Sequence, residues 1–330
     1  ETLSHKGNRF SGEEVLLILL VRLSYPLRWC DVMLRFPGRG RDYLSRGFDW
    51  ALRFLVLNWG YLVTNNRQFW KNRTREFSNS MRRKLATLPN EGYRLNLTEA
   101  EWRAFCIVDN TLVSTSRPGG GPIHGGEQSP RYDTFLQRAF YTGWKKLFGL
   151  KWQTVILPCG MHWEIWGPAS ARHNDSWTLA ESGLENSLNT YFTDDELVAE
   201  YSPDERLDLF NNNIVPKFQA LGDSAYVQGP TMRVGGGRGV SAIREPIEWM
   251  YKDLKTKWKI IDYKHALKLL QLPIGQMVFC CIILCDAYAC MNQNQISGYF
   301  ECNPPTFEEW TAQGRQARPI PQSVREQLGL

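Results

Sequence analysis

The segments FQALGDSAY (218–226), VGGGRG (234–239) and IEWMYKDLKTKW (247–258) decide how the rest of the chain is interpreted. The apolar residues of the first segment predict a short strand that stops at Asp223 before a turn. The second is a glycine-rich loop. The third has helical periodicity, and Pro246 before it suits the first helical position, where a missing N–H costs nothing. We therefore expect Glu248 in the first turn of this helix.

Two faces are predicted for this helix. The apolar face, at intervals of three and four residues, is expected to be buried and consists of Ile247, Met250, Tyr251, Leu254, Trp258 and Ile261. The opposite face carries Glu248, Lys252, Lys255 and Lys259. Such a row is commonly a solvated face, and an acid is favoured in a first turn by the helix dipole alone. It also fits an acid at the mouth of a basic stripe, and both interpretations stay open.

The length and the charge distribution limit the number of domains and the kind of partner that this protein is expected to have. At 330 residues the chain exceeds the usual single-domain size, so two domains are expected. Residues 1–100 hold 17 Lys+Arg against 9 Asp+Glu, although the whole chain has a net charge of only +5. A basic first third indicates a polyanionic partner, most commonly nucleic acid.

The eight cysteines form no regular framework, which indicates a reducing compartment. Four of them lie in MVFCCIILCDAYAC (277–290), without a CxxC pair or a nearby histidine, and are interpreted as structural thiols. This segment is shorter than the ~20 apolar residues of a membrane span and contains Asp286. It is predicted to be a core helix, and no membrane partner or signal peptide is expected.

The N-terminal third predicts an all-α domain, residues 1–90, with helices over 12–25, 27–36 and 42–63 and a turn at PGRGR (37–41). This order is typical of a helix-turn-helix unit, although a plain helical bundle fits equally well. In such a unit the start of the last helix faces the major groove. It would present to DNA Arg39, Arg41, Ser45 and Arg46. Residues 67–84 are basic and aromatic and could contact phosphates.

The second domain, residues 91–315, predicts strands and helices in the order strand, hairpin, helix, insertion, strand, helix; residues 316–330 form a tail. AFCIVDNT (104–111) predicts a central strand ending at Asp109. LKWQTVIL (150–157) and HWEIWG (162–167) predict the hairpin. Asp175 stands at the entry to a helix over 176–192, within a helical insertion near 176–216.

Asp109, Asp223 and Glu248 can meet at one edge of such a sheet. Two aspartates and a glutamate without histidine or cysteine are hard oxygen ligands, suited to Mg²⁺ or Mn²⁺. Two such ions about 4 Å apart can activate a water or a 3′-hydroxyl and stabilise the leaving oxygen of a phosphodiester. A phosphodiester-cleaving site is the function that this pattern predicts.

A series of motifs gives the chain a specific resemblance between about Arg22 and Trp310. They are IVDNT (107–111), SRPGG (116–120), YTGWKKLFGLKWQTVILPCG (141–160), GPASARHNDSWTLAESGL (167–184), LGDSAY (221–226), IEWMYKDLKTKWKIIDYK (247–264) and NQISGYFECNPPTFEEW (294–310). In their order and spacing they resemble the DDE superfamily nucleases of the PIF/Harbinger transposase type. That family includes domesticated Harbinger-derived nucleases.

The resemblance implies an α/β fold, an RNase H-like mixed sheet flanked by helices, and Mg²⁺-dependent DNA strand transfer. By motif position, Asp109, Asp223 and Glu248 match the three acids that hold two metal ions. Asp175 matches a further acid, an accessory ligand or a helix cap. Tyr141, Lys145 and Lys151 match a basic motif that contacts DNA phosphates or supports the sheet; Lys252 and Lys255 are further candidate DNA contacts.

The resemblance also implies partners and a compartment. A transposase of this type acts in the nucleus on the terminal repeats of its element, as double-stranded DNA. It works with a Myb/SANT-like DNA-binding protein and as a homodimer, because two DNA ends must be held together. The alternative is a domesticated, non-transposing nuclear DNA-binding protein that keeps the nuclease fold. A Mg²⁺ nuclease or ribonuclease without joining activity would use the same site.

Two positions depart from the family pattern. Asn110 stands where glycine usually follows the first aspartate, and asparagine tolerates the same tight turn. Asn174 stands where histidine usually precedes the accessory acid. If that histidine assists the chemistry, the activity of this chain would be altered.

Overall fold

The computed structural model describes most of the chain. The described ranges are 2–5, 8–64, 66–90, 93–94, 97–98, 101–118, 130–193, 196–197, 203–204, 206, 217–235, 238–312 and 322–330. The glycine-rich loop from residue 119, most of residues 194–216 within the predicted insertion, and the first part of the C-terminal tail therefore lie outside the described residues.

Six of the described helices come before the predicted hairpin (150–167) in the chain. They are α1 (Gly12–Ser24), α2 (Trp29–Met33), α3 (Arg41–Trp59), α4 (Arg67–Lys71), α5 (Thr74–Thr87) and α6 (Pro130–Phe140). The later ones are α7 (Asp175–Ser182), α8 (Leu184–Asn189), α9 (Arg238–Lys257), α10 (Ile274–Met291), α11 (Gln295–Phe300), α12 (Phe307–Ala312) and α13 (Gln322–Leu328). The helix predicted over 176–192 is thus two helices, because Gly183 between them adopts the left-handed conformation at φ 66°.

The strands form one mixed sheet and two small hairpins. The hairpins pair β1 (Thr2–His5) with β2 (Asn8–Ser11) and β3 (Pro89–Asn90) with β4 (Tyr93–Arg94). The sheet comprises β5 (Ala104–Thr115), β6 (Tyr141–Thr142), β7 (Leu147–Ile156), β8 (His162–Ser170), β9 (Gln219–Gly222) and β10 (Met232–Val234). Strands β5, β7 and β8 are antiparallel, whereas β9 and β10 continue the sheet parallel to β5. This mixed sheet is compatible with the predicted nuclease fold.

Strand β5 lies in the centre of the sheet, between β7 and β9, as its apolar sequence predicts. Its first five residues are buried, which fits a strand covered on both faces. The prediction that it ends at Asp109 is wrong. Pairing with β7 continues to Thr115, opposite Phe148, so Asp109 lies in mid-strand.

Helix α9 begins earlier than the sequence predicts. It starts at Arg238, so Pro246 is inside it and Glu248 is not in its first turn. Proline cannot donate the hydrogen bond to the carbonyl four residues before it, here that of Ala242. The Tyr299 hydroxyl donates to this carbonyl at 3.2 Å instead. This contact, together with buried Val240 and Ile243, accounts for a helix that continues through a proline.

Helix α10 is the predicted core helix. It has the length and hydropathy of a membrane span, and 72% of that window is buried inside the protein. Cys280, Cys281 and Cys285 are buried there as free thiols, in agreement with a structural role. Asp286 is compensated by His162 of β8, whose Nδ1 lies 2.7 Å from its carboxylate.

The N-terminal helices share one continuous hydrophobic core with the sheet and α10. The helices predicted over 12–25 and 42–63 are present as α1 and α3, and the intervening one shortens to α2. The prediction that residues 1–90 are all-α is wrong, because β1 and β2 form a hairpin before α1. Division into domains at residue 90, and a helix-turn-helix function for α2 and α3, remain predictions.

Candidate functional site

Asp109 of β5 and Asp223, which directly follows β9, lie at the same level of the sheet. Parallel pairing of β5 with β9 sets Ile107 opposite Leu221, and each aspartate follows its paired residue by two positions. Side chains two residues apart point to the same face of a sheet, and paired strands lie ~4.8 Å apart. The prediction that β9 stops before Asp223 is confirmed, since the strand ends at Gly222.

The charges of neighbouring acids act on Asp109. Burial raises its pKa to about 6, while the backbone N–H of Asn110, which donates to Oδ1 at 2.7 Å, opposes the shift. The negative charges of Asp223 and Asp175 raise the pKa further, and Arg244 of α9 lowers it. Three carboxylates therefore share one electrostatic environment, in which a cation would stabilise the ionised form.

Asp175 is held in place by a lysine of the sheet. The Nζ atom of Lys151 donates to Asp175 Oδ1 at 2.9 Å and to the carbonyl of His173 at 2.6 Å. The Lys151 side chain is only slightly exposed, so its positive charge acts on the neighbouring acids rather than on a group in solvent. This geometry favours support of the site over contact with DNA phosphate for Lys151.

The two departures from the family pattern have structural roles. Asn110 is in a strand rather than a tight turn, and its Nδ2 donates to Asp175 Oδ1 at 2.8 Å and to the Tyr226 hydroxyl at 3.1 Å. Asn174 is the N-cap of α7, where its Oδ1 accepts from the N–H of Trp177 at 2.8 Å. The cap is therefore Asn174 rather than Asp175, and an asparagine suits it.

Helix α9, which carries Glu248, packs against the Asp109 face of the sheet. It contacts that face through Tyr251, whose hydroxyl is 2.6 Å from that of Thr154, the residue paired with Asp109. Glu248 is one turn after Arg244 and three residues before Tyr251, so all three share one stripe and Glu248 is not opposite Tyr251, contrary to the expectation from the sequence. Glu248 is exposed at the solvent edge of this stripe.

The donors of the predicted metal site are oxygens of carboxylates, which suit Mg²⁺ or Mn²⁺. In the described part of the chain, no group of three or more His, Cys, Asp or Glu side chains is close enough together to hold a metal ion. Asp109 and Asp223 fit a divalent ion by their chemistry and by the raised pKa of Asp109. The structure does not bring Glu248 into a closed ligand set with them.

The candidate DNA contacts differ in their exposure and internal contacts. Arg41, Arg46, Lys145 and Lys252 are exposed, and Arg46 also interacts within the protein. Arg39 is bound to Glu14, with Nε 2.7 Å from Oε1. Lys255 is half-buried and donates to the carbonyl of Leu112 at 3.1 Å.

The basic segment 67–84 is largely engaged within the protein. Arg67 forms an ion pair with buried Glu164, and Lys71 forms one with Glu196. Arg73 pairs with Glu76 and donates to the carbonyl of Asn303. These three cations hold the N-terminal helices to the rest of the chain, which accounts for much of the charge that the sequence suggested for phosphates.

The geometry leads to a comparison with known proteins. Residues 123–286 match the family model of a DDE superfamily endonuclease. The match supports a place in the DDE transposase superfamily. The matched segment contains Asp175, Asp223 and Glu248, and it begins after Asp109. No curated protein and no solved structure matches the chain significantly.

Sequence reasoning missed three polar residues of the site: Arg244, Tyr226 and Thr154. The sequence could have indicated Thr154 as a site residue, because it is a polar residue within an otherwise apolar part of the strand. Tyr251 was assigned to the buried face, which is correct, but its hydroxyl also reaches the site. Burial and the nearby acids raise the pKa of Tyr226 and Tyr251 well above the ordinary value, so both remain hydrogen-bond donors.

Proposed function

We propose that this chain is a Harbinger-type DNA transposase or endonuclease that cuts and joins phosphodiesters at a site made by Asp109, Asp223 and Glu248. The observation that carries the proposal is that Asp109 on β5 and Asp223, directly after the parallel strand β9, lie at one level of the sheet. The stripe of α9 that holds Glu248 packs against the same face. The match to DDE endonucleases supports this assignment.

Asp109 and Asp223 would hold divalent Mg²⁺ or Mn²⁺, two ions being expected, with Glu248 as the third acid and Asp175 as an accessory group. Bound metal would supply charge stabilisation for the phosphoryl oxygens and the leaving oxygen. Asn110 and Lys151 orient Asp175, and Arg244 places positive charge beside Asp109. Attack by water on phosphorus breaks the bond to one ester oxygen and leaves a 3′-hydroxyl, which can attack a second phosphodiester.

The substrate would be the double-stranded terminal repeats of an element, bound by a homodimer in the nucleus, with a Myb/SANT-like protein as a partner. Arg41, Lys145 and Lys252 are exposed and suited to phosphates; Arg46 is exposed too but also has an interaction within the protein. Arg39 and Lys255 would have to exchange an internal contact for one to DNA.

Nicking and joining of labelled DNA with Mg²⁺ or Mn²⁺ tests the proposal. We expect Asp109→Asn, Asp223→Asn and Glu248→Gln each to abolish the reaction while the chain still folds and binds DNA. Glu308→Gln, an exposed acid of α12, is the matched control and should remain active. An inactive parent chain, even with a Myb-like partner and terminal-repeat DNA, would favour the domesticated DNA-binding protein.

A further inference from the structure

A groove of about 810 Å³ lies between the end of α6 and the loop that joins β8 to α7. Its volume is within the ~300–1,000 Å³ range of sites that hold drug-sized molecules, the size class of a nucleotide. Two arginines and three aromatic rings line it: Arg138, Arg172, Phe135, His173 and Trp177. This combination of charge and rings indicates a ligand that is both anionic and aromatic.

The two arginines are available to a ligand. Both side chains are exposed, and neither guanidinium pairs with a carboxylate among the described residues. Arg67, by contrast, is bound to Glu164. A guanidinium presents a planar set of donors that matches two phosphate oxygens, so a pair of free arginines on one groove is suited to a phosphate.

The aromatic lining offers surfaces for a base. Phe135 is 68% exposed, which is unusual for a phenylalanine that has no bound partner. His173 and Trp177 are already stacked, with their centroids 3.6 Å apart and an angle of 14° between the rings. Nucleic-acid bases stack on such rings whatever their sequence, provided that the base is not paired.

The groove borders the acid cluster. The carbonyl of His173 accepts a hydrogen bond from Lys151 Nζ at 2.6 Å, and the same Nζ atom is 2.9 Å from Asp175 Oδ1. Asn174, which lines the groove, also directly precedes Asp175, so the groove adjoins the acid cluster.

We propose that this groove binds one nucleotide of an unpaired DNA strand, with a phosphate between Arg138 and Arg172 and the base on Phe135. The inference rests on the proposed function, because it supplies that site with the strand that flanks the cut. It adds a substrate class: DNA with a frayed or single-stranded end beside the duplex.

Equilibrium binding without divalent metal tests the groove separately from cleavage. Fluorescence anisotropy would compare a blunt duplex with the same duplex carrying a single-stranded overhang, over a range of salt concentrations. We expect Arg138→Ala and Arg172→Ala each to weaken binding of the overhang DNA about tenfold and to reduce the salt slope by about 1. Arg138→Lys and Arg172→Lys keep the charge and should recover part of the affinity.

Phe135→Ala should abolish the preference for the overhang while leaving affinity for the blunt duplex unchanged. The control variants are Lys268→Ala, which removes an exposed positive charge away from the proposed DNA contacts, and Leu270→Ala, which removes an apolar side chain that is 76% exposed. Both should bind like the parent chain.

Unchanged affinity and salt slope in both arginine variants would overturn the proposal, as would equal losses in Lys268→Ala or tighter binding of an acidic peptide. The two proposals fail separately. Binding that depends on Arg138 and Arg172 in a chain that never cleaves would support the groove and contradict the nuclease. Cleavage that depends on Asp223, without any effect of Arg138 or Arg172 on binding, would support the nuclease and contradict the groove.

Discussion

Asn110 Nδ2 donates a hydrogen bond to Asp175 Oδ1 at 2.8 Å and thereby joins the central strand to the start of α7. The same amide contacts the Tyr226 hydroxyl at 3.1 Å, in the turn that follows Asp223. One side chain thus connects the segments that carry three of the candidate acids. A glycine at position 110, as the related family usually has, would provide none of these contacts.

Asn110→Ala should therefore destabilise the chain. A buried acceptor or hydroxyl that loses its partner costs ~1–3 kcal/mol, and Asp175 and Tyr226 are both affected. Urea unfolding would measure the change in the free energy of unfolding. Asn58→Ala, whose amide donates to the Phe54 carbonyl on an exposed helix surface, should change it by less than ~0.5 kcal/mol. Equal effects of the two substitutions would contradict a connecting role for Asn110.

Asp109→Asn should stabilise the metal-free chain at pH 8. The pKa of Asp109 is raised from 3.8 to about 6, so folding favours its protonated form. The stability that comes from protonation is complete below pH 3.8 and is lost as the pH rises through about 6. The neutral amide avoids this loss, which amounts to ~1–3 kcal/mol.

Chemical unfolding in a chelator at pH 8 and at pH 4 would measure this effect. The stabilisation by Asp109→Asn should be largest at pH 8 and shrink towards pH 4. A difference that is independent of pH would show that the Asp109 carboxyl is not held in an unfavourable environment. Adding Mg²⁺ or Mn²⁺ should stabilise the parent chain more than the variant.

Lys252 and Lys255 should behave differently although both are on α9. Lys252 is exposed, so Lys252→Ala should weaken DNA binding and reduce its salt slope by about 1 without altering stability. Burial lowers the pKa of Lys255, and its Nζ donates to the Leu112 carbonyl. Lys255→Ala should lower stability by ~1 kcal/mol. Thermal unfolding combined with binding titrations would separate the two effects. A stability loss in Lys252→Ala and a DNA-binding loss in Lys255→Ala would instead make Lys255 the DNA contact and Lys252 the structural residue.

Asp286→Ala should be strongly destabilising. Asp286 and His162 are each 1% exposed, and the carboxylate accepts from the backbone N–H of His162 as well as contacting its ring. Removing one partner of such a pair leaves the other buried without compensation, which costs ~3–5 kcal/mol. Denaturant unfolding would measure it, with Asp262→Asn as an exposed control. A loss below ~1 kcal/mol would mean that the strand and helix do not depend on this pair.

Local sequence patterns predicted the elements that carry the acids but not all of their boundaries. Strand β9, the hairpin of β7 and β8, and the buried helix α10 follow from apolar periodicity, which is a local property. The start of α9 could not be read in the same way, because Pro246 is a strong signal for a helix start. The hydroxyl that compensates it comes from Tyr299, 53 residues after the proline.

The sequence suggested residue types for the candidate site but not its geometry. Asp109 and Asp223 were chosen because each follows a run of apolar residues, but their common level depends on the register between β5 and β9. The network of Asn110 and Lys151 could not be predicted, since it depends on where α7 packs against the sheet. The basic segment 67–84 suggested phosphate contacts because its carboxylate partners, such as Glu164, are distant in sequence.

The hydroxyl of Tyr299 on the Ala242 carbonyl has a consequence for shortened forms of the protein. The segment that matches DDE endonucleases ends at residue 286, before Tyr299, and begins at residue 123, after the whole of β5. A fragment cut at those limits would lose the central strand with Asp109. It would also lose Tyr299, whose hydroxyl compensates for Pro246, two residues before Glu248 on α9. The region recognisable as a nuclease is therefore smaller than the unit that must fold, and expression of that region alone should give an unfolded product.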